Sequence, residues 1–157
     1  MAGLNVELIN PFLVSATTIL KQACMVDAKV GKPYLKDMSF SNDTVIIMIG
    51  VTGEMRGEVV MEFTDLVART IAGKMMMMGP LPALDDIGKS ALSELGNMVM
   101  GNTATLFSEK GIGIDITPPT LAVGNVEFST GFAKNLCIPL MIDESTSINF
   151  NIAMKSE

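Results

Sequence analysis

Thr44 to Val51 reads Thr-Val-Ile-Ile-Met-Ile-Gly-Val, an almost unbroken β-branched run. Successive side chains of a strand point to opposite faces, so a run that is apolar at every position needs cover on both sides. Eight residues are far too few to cross a bilayer. The chain must therefore build a sheet with other material above and below it, a layered fold. The flanking sequence supplies the strands. Thr52-Gly53 turns the chain and Gly57 to Phe63 reads as the returning strand, while a modest strand is expected near Met38 to Phe40 after the breaker Gly31-Lys32-Pro33. Further strands are expected near Thr120 to Val123, Val126 to Ser129, Leu136 to Ile142 and Ser147 to Met154, the last two separated by Asp143-Glu144-Ser145. In the final strand Ile148, Phe150, Ile152 and Met154 alternate with polar residues, which predicts one buried face and one wet face.

Three segments carry the helical period instead. Asn10-Pro11 reads as an N-cap and first position, opening a helix whose apolar stripe is Phe12, Leu13, Ala16, Ile19, Leu20, Ala23 and Cys24. Thr64-Asp65 caps a second helix, expected to run to Met78 and stop at Gly79-Pro80. Its Met75–Met78 run points all round the axis, which argues for partial burial as gap filler rather than a copper(I) site, and leaves an accessible side for a partner. The third helix is the longest, from Asp85 or Asp86 to about Lys110, ended by Gly111. Helices and strands are segregated, the α+β pattern of a largely antiparallel sheet with helices packed on it. A faint internal echo, one helix followed by Gly31-Lys32-Pro33 and another by Thr117-Pro118-Pro119, is what two related half-domains, or coincidence, would leave.

The 157 residues fit one domain spanning 1–157, long enough to hold a core without staples. No histidine is present, which excludes Ser-His-Asp and Cys-His nucleophile systems and every histidine-based metal site. The two cysteines, Cys24 and Cys137, lie in apolar runs and are expected to be reduced and buried. A net charge of −6 without a basic patch argues against nucleic acid. Met1 to Leu8 has neither the basic nor the apolar region of a signal peptide, so a cytoplasmic chain with no membrane partner is expected.

On the third helix Ser90, Glu94, Asn97 and Gly101 fall within an arc of roughly 60° at about 100° per residue. Ile87, Ala91, Leu95, Met98 and Leu106 centre elsewhere and are expected to face the core. The polar stripe has two readings: an ordinary solvated face, or a working surface on which Gly101 and the neighbouring Gly96 give up helix propensity for close approach. As a working surface it has one carboxylate, one carboxamide, no activated nucleophile and no electrophile, so it cannot hydrolyse anything unaided. It can complete an active site carried by another protein, the carboxylate pairing with a cation and the amide fixing a water.

Ser90-x-x-x-Glu94-x-x-Asn97, set in Glu94-Leu95-Gly96-Asn97-Met98, resembles the signature of the CheC/CheX/FliY phosphatases of bacterial chemotaxis. Thr44 to Gly53, Gly113 to Thr120 (GIDITPPT) and Gly31-Lys32-Pro33 resemble further stretches of the CheX branch, so the likeness covers nearly the whole chain. It implies a CheC-like layered fold, a homodimer, and dephosphorylation of a CheY-like response regulator. Glu94 would pair with the receiver's active-site lysine and Asn97 would orient the attacking water, with Ser90 and Gly101 touching the partner. The receiver would supply the aspartyl phosphate and Mg²⁺, with no cofactor on this chain. The alternative is a docking module for a receiver or flagellar-switch component that catalyses nothing. A second Glu-x-x-Asn, Glu7 to Asn10, echoes the two-motif CheC pattern, but the expected helix start puts Glu7 outside the helix and reduces the pair to a cap and its leader.

Overall fold

A computed structural model describes residues 6–36, 39–40, 43–124, 126–127 and 135–154 of the chain. They form α1 (Val6–Cys24), β1 (Lys29–Val30), β2 (Tyr34–Lys36), β3 (Ser39–Phe40), β4 (Thr44–Gly53), β5 (Gly57–Thr64) and α2 (Asp65–Met75). There follow α3 (Asp86–Glu109), β6 (Ile114–Ile116), β7 (Thr120–Val123), β8 (Val126–Glu127), β9 (Asn135–Met141) and β10 (Ser147–Met154). The main sheet runs β1-β9-β10-β5-β4-β6, with β2 also on β9 and β7 also on β4, every pair antiparallel. The small β3-β8 ribbon completes the strands.

The β-branched run behaves as its composition requires. β4 sits inside the sheet, and Ile46 and Ile47, which point to opposite faces, are both buried. Val45, Ile47, Ile49 and Val51 face the three helices, where Phe12 meets Phe107 edge-on at 5.4 Å. On the other face Ile46 and Val60 pack with Phe40 and Ala153. The face of the last strand expected to be wet is so only in part: Ser147 and Asn149 are half-buried, while Asn151 and Ala153 are buried. β10 lies between β5 and β9, and Asn151 is fully buried, donating to the Val60 carbonyl at 3.1 Å and accepting from Asn135 at 3.2 Å. The Asn151 side chain thus finds its partners within the protein.

The internal echo is a real architectural repeat. β1 through β5 and β6 through β10 follow the same path, each half's first two strands pairing with the other half's fourth strand (β9 or β4), with β5 against β10 at the centre. Gly31 donates to the Pro139 carbonyl just as Thr117 donates to that of Gly50. Ser15 and Asn102, 87 positions apart, meet between α1 and α3 at 3.1 Å. The same spacing relates the buried Phe12, Ala16 and Leu20 to the buried Val99, Thr103 and Phe107.

Helix boundaries depart from expectation at two places. α1 begins at Val6, not Asn10, so Pro11 lies inside it. Only an amide hydrogen bond to the Glu7 carbonyl is forfeited, close to a terminus where such bonds are sparse, and the buried Pro11 ring and Phe12 help to hold the turn. α2 ends at Met75, because Met77 takes a positive φ of 58° and the chain turns before Gly79-Pro80. Met75 and Met76 pack on the core while Met77 and Met78 are exposed. α3 matches its caps: the Asp85 carboxylate accepts from the Gly88 amide at 2.8 Å, and Gly111 takes φ 81° just past the end.

Both cysteines are free and buried, and desolvation raises both thiols, Cys24 to about 11 despite the lowering influence of Lys74. Both shifts disfavour the thiolate, which is the reactive form, and burial also bars access to it. Native protein should therefore resist a thiol-specific reagent at pH 8 while both thiols react in denaturant. Rapid labelling of folded protein would contradict this burial.

Candidate functional site

α3 is amphipathic with the expected two sides, but its core stripe is rotated from the sequence expectation. Gly88, Leu92, Leu95, Gly96, Val99, Met100, Thr103 and Phe107 are the buried residues. Of the set expected to face inward only Leu95 is fully buried, Ala91, Met98 and Leu106 are half-buried, and Ile87 is 67% exposed. Apolar residues on α3 outnumber those a single stripe can hold, so periodicity alone placed its centre wrongly.

Opposite that core, Ser90, Glu94 and Asn97 are exposed and Gly101 is half-buried with nothing within 4 Å of where its Cβ would stand. Glu94 and Asn97 are three residues apart, so they are neighbours one turn along the same face. Their side chains and that of Ser90 make no hydrogen bond or ion pair with other described residues. A carboxylate and a carboxamide left unpaired side by side are available to something else.

What fixes α3 against the sheet is Gly96, between the two. It is buried, and a Cβ there would stand 2.9 Å from Ile47 Cγ2 and 3.3 Å from Ile49 Cδ1. The glycine lets the helix ride directly on β4. The sequence showed only its cost in helix propensity; the reason for it lies across the sheet.

The polar face borders an open groove of about 810 Å³. One wall is α3, through Asp86, Lys89, Ser90, Ser93, Glu94 and Asn97. The other is Ile116 to Pro119, the link between β6 and β7. Thr117 ties that link to β4 twice, its amide donating to the Gly50 carbonyl at 3.0 Å and its hydroxyl accepting from the Gly50 amide at 2.8 Å. Gly50 is required by this contact, since a Cβ there would lie 3.0 Å from Thr117 Cγ2. Sequence reading noticed the Thr-Pro-Pro segment as a family likeness but missed it as a wall of the site, because its contact with α3 is made only on folding.

The arrangement has no nucleophile paired with a base, and among the described residues no three acidic or cysteine side chains gather to hold a metal. Nor is any described helix long and apolar enough to cross a membrane. What it presents is an exposed carboxylate–carboxamide pair on a well-anchored helix, beside an open groove.

The second Glu-x-x-Asn is placed differently from its sequence reading. Because α1 starts at Val6, Glu7 and Asn10 both lie within the helix, and both are exposed. They stand 87 positions before Glu94 and Asn97, the spacing that relates the two helices throughout. The argument that Glu7 precedes the helix is overturned. The neighbourhoods still differ: Ile9 replaces the close-packing Gly96, and Gly31-Lys32-Pro33 stands where α3 has Thr117-Pro118-Pro119.

Comparison with known proteins places the whole chain. A CheY-P phosphatase CheX of Thermotoga maritima is 26% identical over 98% of this chain and 99% of its own. A CheC-like superfamily protein from Shewanella sp. PV-4 superposes with a TM-score of 0.83 at 27% identity, covering 97% of this chain and 99% of that one. The CheX–CheY–BeF₃–Mg²⁺ complex of Borrelia burgdorferi gives 0.82 at 28% identity, covering 97% and 100%. The family model described as chemotaxis phosphatase CheX matches residues 45–145, a span that holds both walls of the groove and most of the sheet. The chain belongs to the chemotaxis phosphatase CheX family.

Proposed function

We propose that this chain dephosphorylates the aspartyl phosphate of a CheY-like response regulator, with Asn97 orienting the attacking water and Glu94 pairing with a lysine of the receiver. The observation that carries the assignment is the exposed Glu94–Asn97 pair, one turn apart on a helix pinned by Gly96 beside an open groove. Phosphoryl transfer asks little covalent chemistry of a catalyst and much positioning, so a side chain that holds one water in line is enough when metal and phosphate come with the substrate. The carboxamide stays neutral at all working pH, accepts through oxygen and donates through nitrogen. That explains how a site without histidine can work. Mg²⁺ is the receiver's contribution, in keeping with the Mg²⁺ named in the Borrelia complex. Ser90 and Gly101 belong to the docking face, a homodimer is the expected assembly, and the cytoplasm is the compartment where phosphorylated receivers occur. The exposed Met77 and Met78 are a candidate dimer surface.

Turnover separates this from simple docking. Substoichiometric protein added to phosphorylated receiver should release phosphate, beyond what the receiver releases alone, in excess of its own concentration; no increase over the receiver alone would leave only a docking module. Glu94→Ala should raise KM and lower kcat together, with kcat/KM down by about tenfold. The difference should shrink as salt is added, because the contact is between charges near water. A salt-independent loss would argue against a charge pair.

A further inference from the structure

Ile87 has no structural reason to be where it is. It is a large β-branched side chain on the first turn of α3, 67% exposed, while the helix buries Leu92, Leu95 and Val99 on its other side. Seven positions before Glu94, it falls within about 20° of that carboxylate around the helix. Ile87, Ser90, Glu94, Asn97 and Gly101 thus form one continuous line at alternating three- and four-residue steps, the spacing of a contact seam. Ser90, Glu94 and Asn97 of that line also border the groove, whose far wall carries Pro118 and Pro119. Prolines offer no amide hydrogen, so that stretch presents rings and acceptors only. Its position is fixed through the two Thr117–Gly50 hydrogen bonds.

The polar pair is therefore flanked by apolar surface on both sides, Ile87 beyond Glu94 and the proline wall beyond Asn97. We propose that Ile87 and the Pro118–Pro119 wall form an apolar frame that grips the phosphorylated receiver around its active site and determines which receivers are accepted. The proposal rests on the reading of Glu94 and Asn97 as the catalytic pair, with which the frame is continuous on one helix face. Apolar contacts of this kind add affinity and favour a partner surface of matching shape. Ile87 and the prolines are docking residues: none of them touches the reacting atoms.

The test is a comparison of kcat, KM and binding for Ile87→Ser, the double variant Pro118→Ala/Pro119→Ala, and Asn97→Ala. The substrate is a phosphorylated CheY-type receiver, and the binding probe is the same receiver loaded with beryllofluoride and Mg²⁺, titrated by calorimetry. Ile87→Ser should raise KM and the dissociation constant by about tenfold, the scale of losing one buried aliphatic contact at an interface centre. Its kcat should stay within about twofold of the parent, and its melting temperature should not fall, since the side chain supports no core. The proline variant should do the same in smaller measure, and a preference between two receivers from one genome should narrow. KM and affinity unchanged in both variants would overturn the proposal, as would a fall in kcat with KM constant. Asn97→Ala keeps the two ideas apart. It should lower kcat while the beryllofluoride-loaded receiver still binds, and if kcat survives it, the catalytic assignment fails whatever Ile87 does to affinity.

Discussion

Asn97→Ala should abolish accelerated dephosphorylation while leaving the fold intact. The side chain is exposed and makes no hydrogen bond to other described residues, so its removal leaves nothing buried and unsatisfied. Stability should shift by less than about 0.5 kcal/mol, as for an ordinary surface position. If the amide orders the attacking water, the rate should fall at least about tenfold, equivalent to about 1.4 kcal/mol of transition-state stabilisation. Decay of phosphorylated receiver, followed with catalytic amounts of each protein, gives the answer directly. A variant as active as the parent refutes the assignment. An intermediate result is informative too: if about half the activity survives, and is then lost on adding Asn10→Ala, the Glu7–Asn10 pair on α1 shares the work.

Gly96→Val should do the reverse and act through the fold. Even a Cβ at this position would stand 2.9 Å from Ile47 Cγ2, a methyl fixed next to the β4 backbone that cannot swing aside. Valine adds two further methyls to the same contact. Overpacking of this kind costs about 1–3 kcal/mol, and the gain in helix propensity over glycine returns only about half a kilocalorie. A net loss of about 2 kcal/mol corresponds to roughly 4–8 °C in melting temperature for a chain of this size. Because α3 must lift off β4, the catalytic pair moves with it and activity should drop alongside stability. Gly101→Ala is the matching contrast, since its Cβ meets nothing within 4 Å. It should stabilise by up to about 1 kcal/mol and yet raise KM, because the added methyl stands where the receiver approaches. A Gly96→Val protein melting with the parent would show that the helix does not ride on the sheet as described. A Gly101→Ala protein with unaltered KM would remove that glycine from the docking face.

Much of this protein is legible in one dimension because much of it is locally determined. The β-branched run at 44–51 could be satisfied only by a strand covered on both faces, and Thr64 and Asp85 announced their helices by cap chemistry. The segregation of helices from strands gave the α+β class. The Glu94–Asn97 pair was visible because three residues make one turn of any helix, whatever surrounds it.

Other features were decided by contacts between residues far apart in the chain. Asn10-Pro11 reads as a helix start on local grounds, yet α1 begins at Val6, where proline's cost is small near the terminus and Phe12 is held by Phe107 and Phe150. The final strand alternates as if one face were wet, but its place between β5 and β9 under the Phe40 cluster buries Asn151. Ile87 groups with the core by its apolar side chain, although its seven-residue step from Glu94 already sets it beside the polar stripe. The placement of Gly96 on Ile47 fixes the helix rotation and leaves Ile87 outside. The groove wall depends on Thr117 finding Gly50, 67 positions earlier. Sequence alone thus determined which residues could do the chemistry, since side-chain type and one helical turn are local properties. Tertiary structure decided what stands around them, because burial and close approach depend on which surfaces meet when the chain closes on itself.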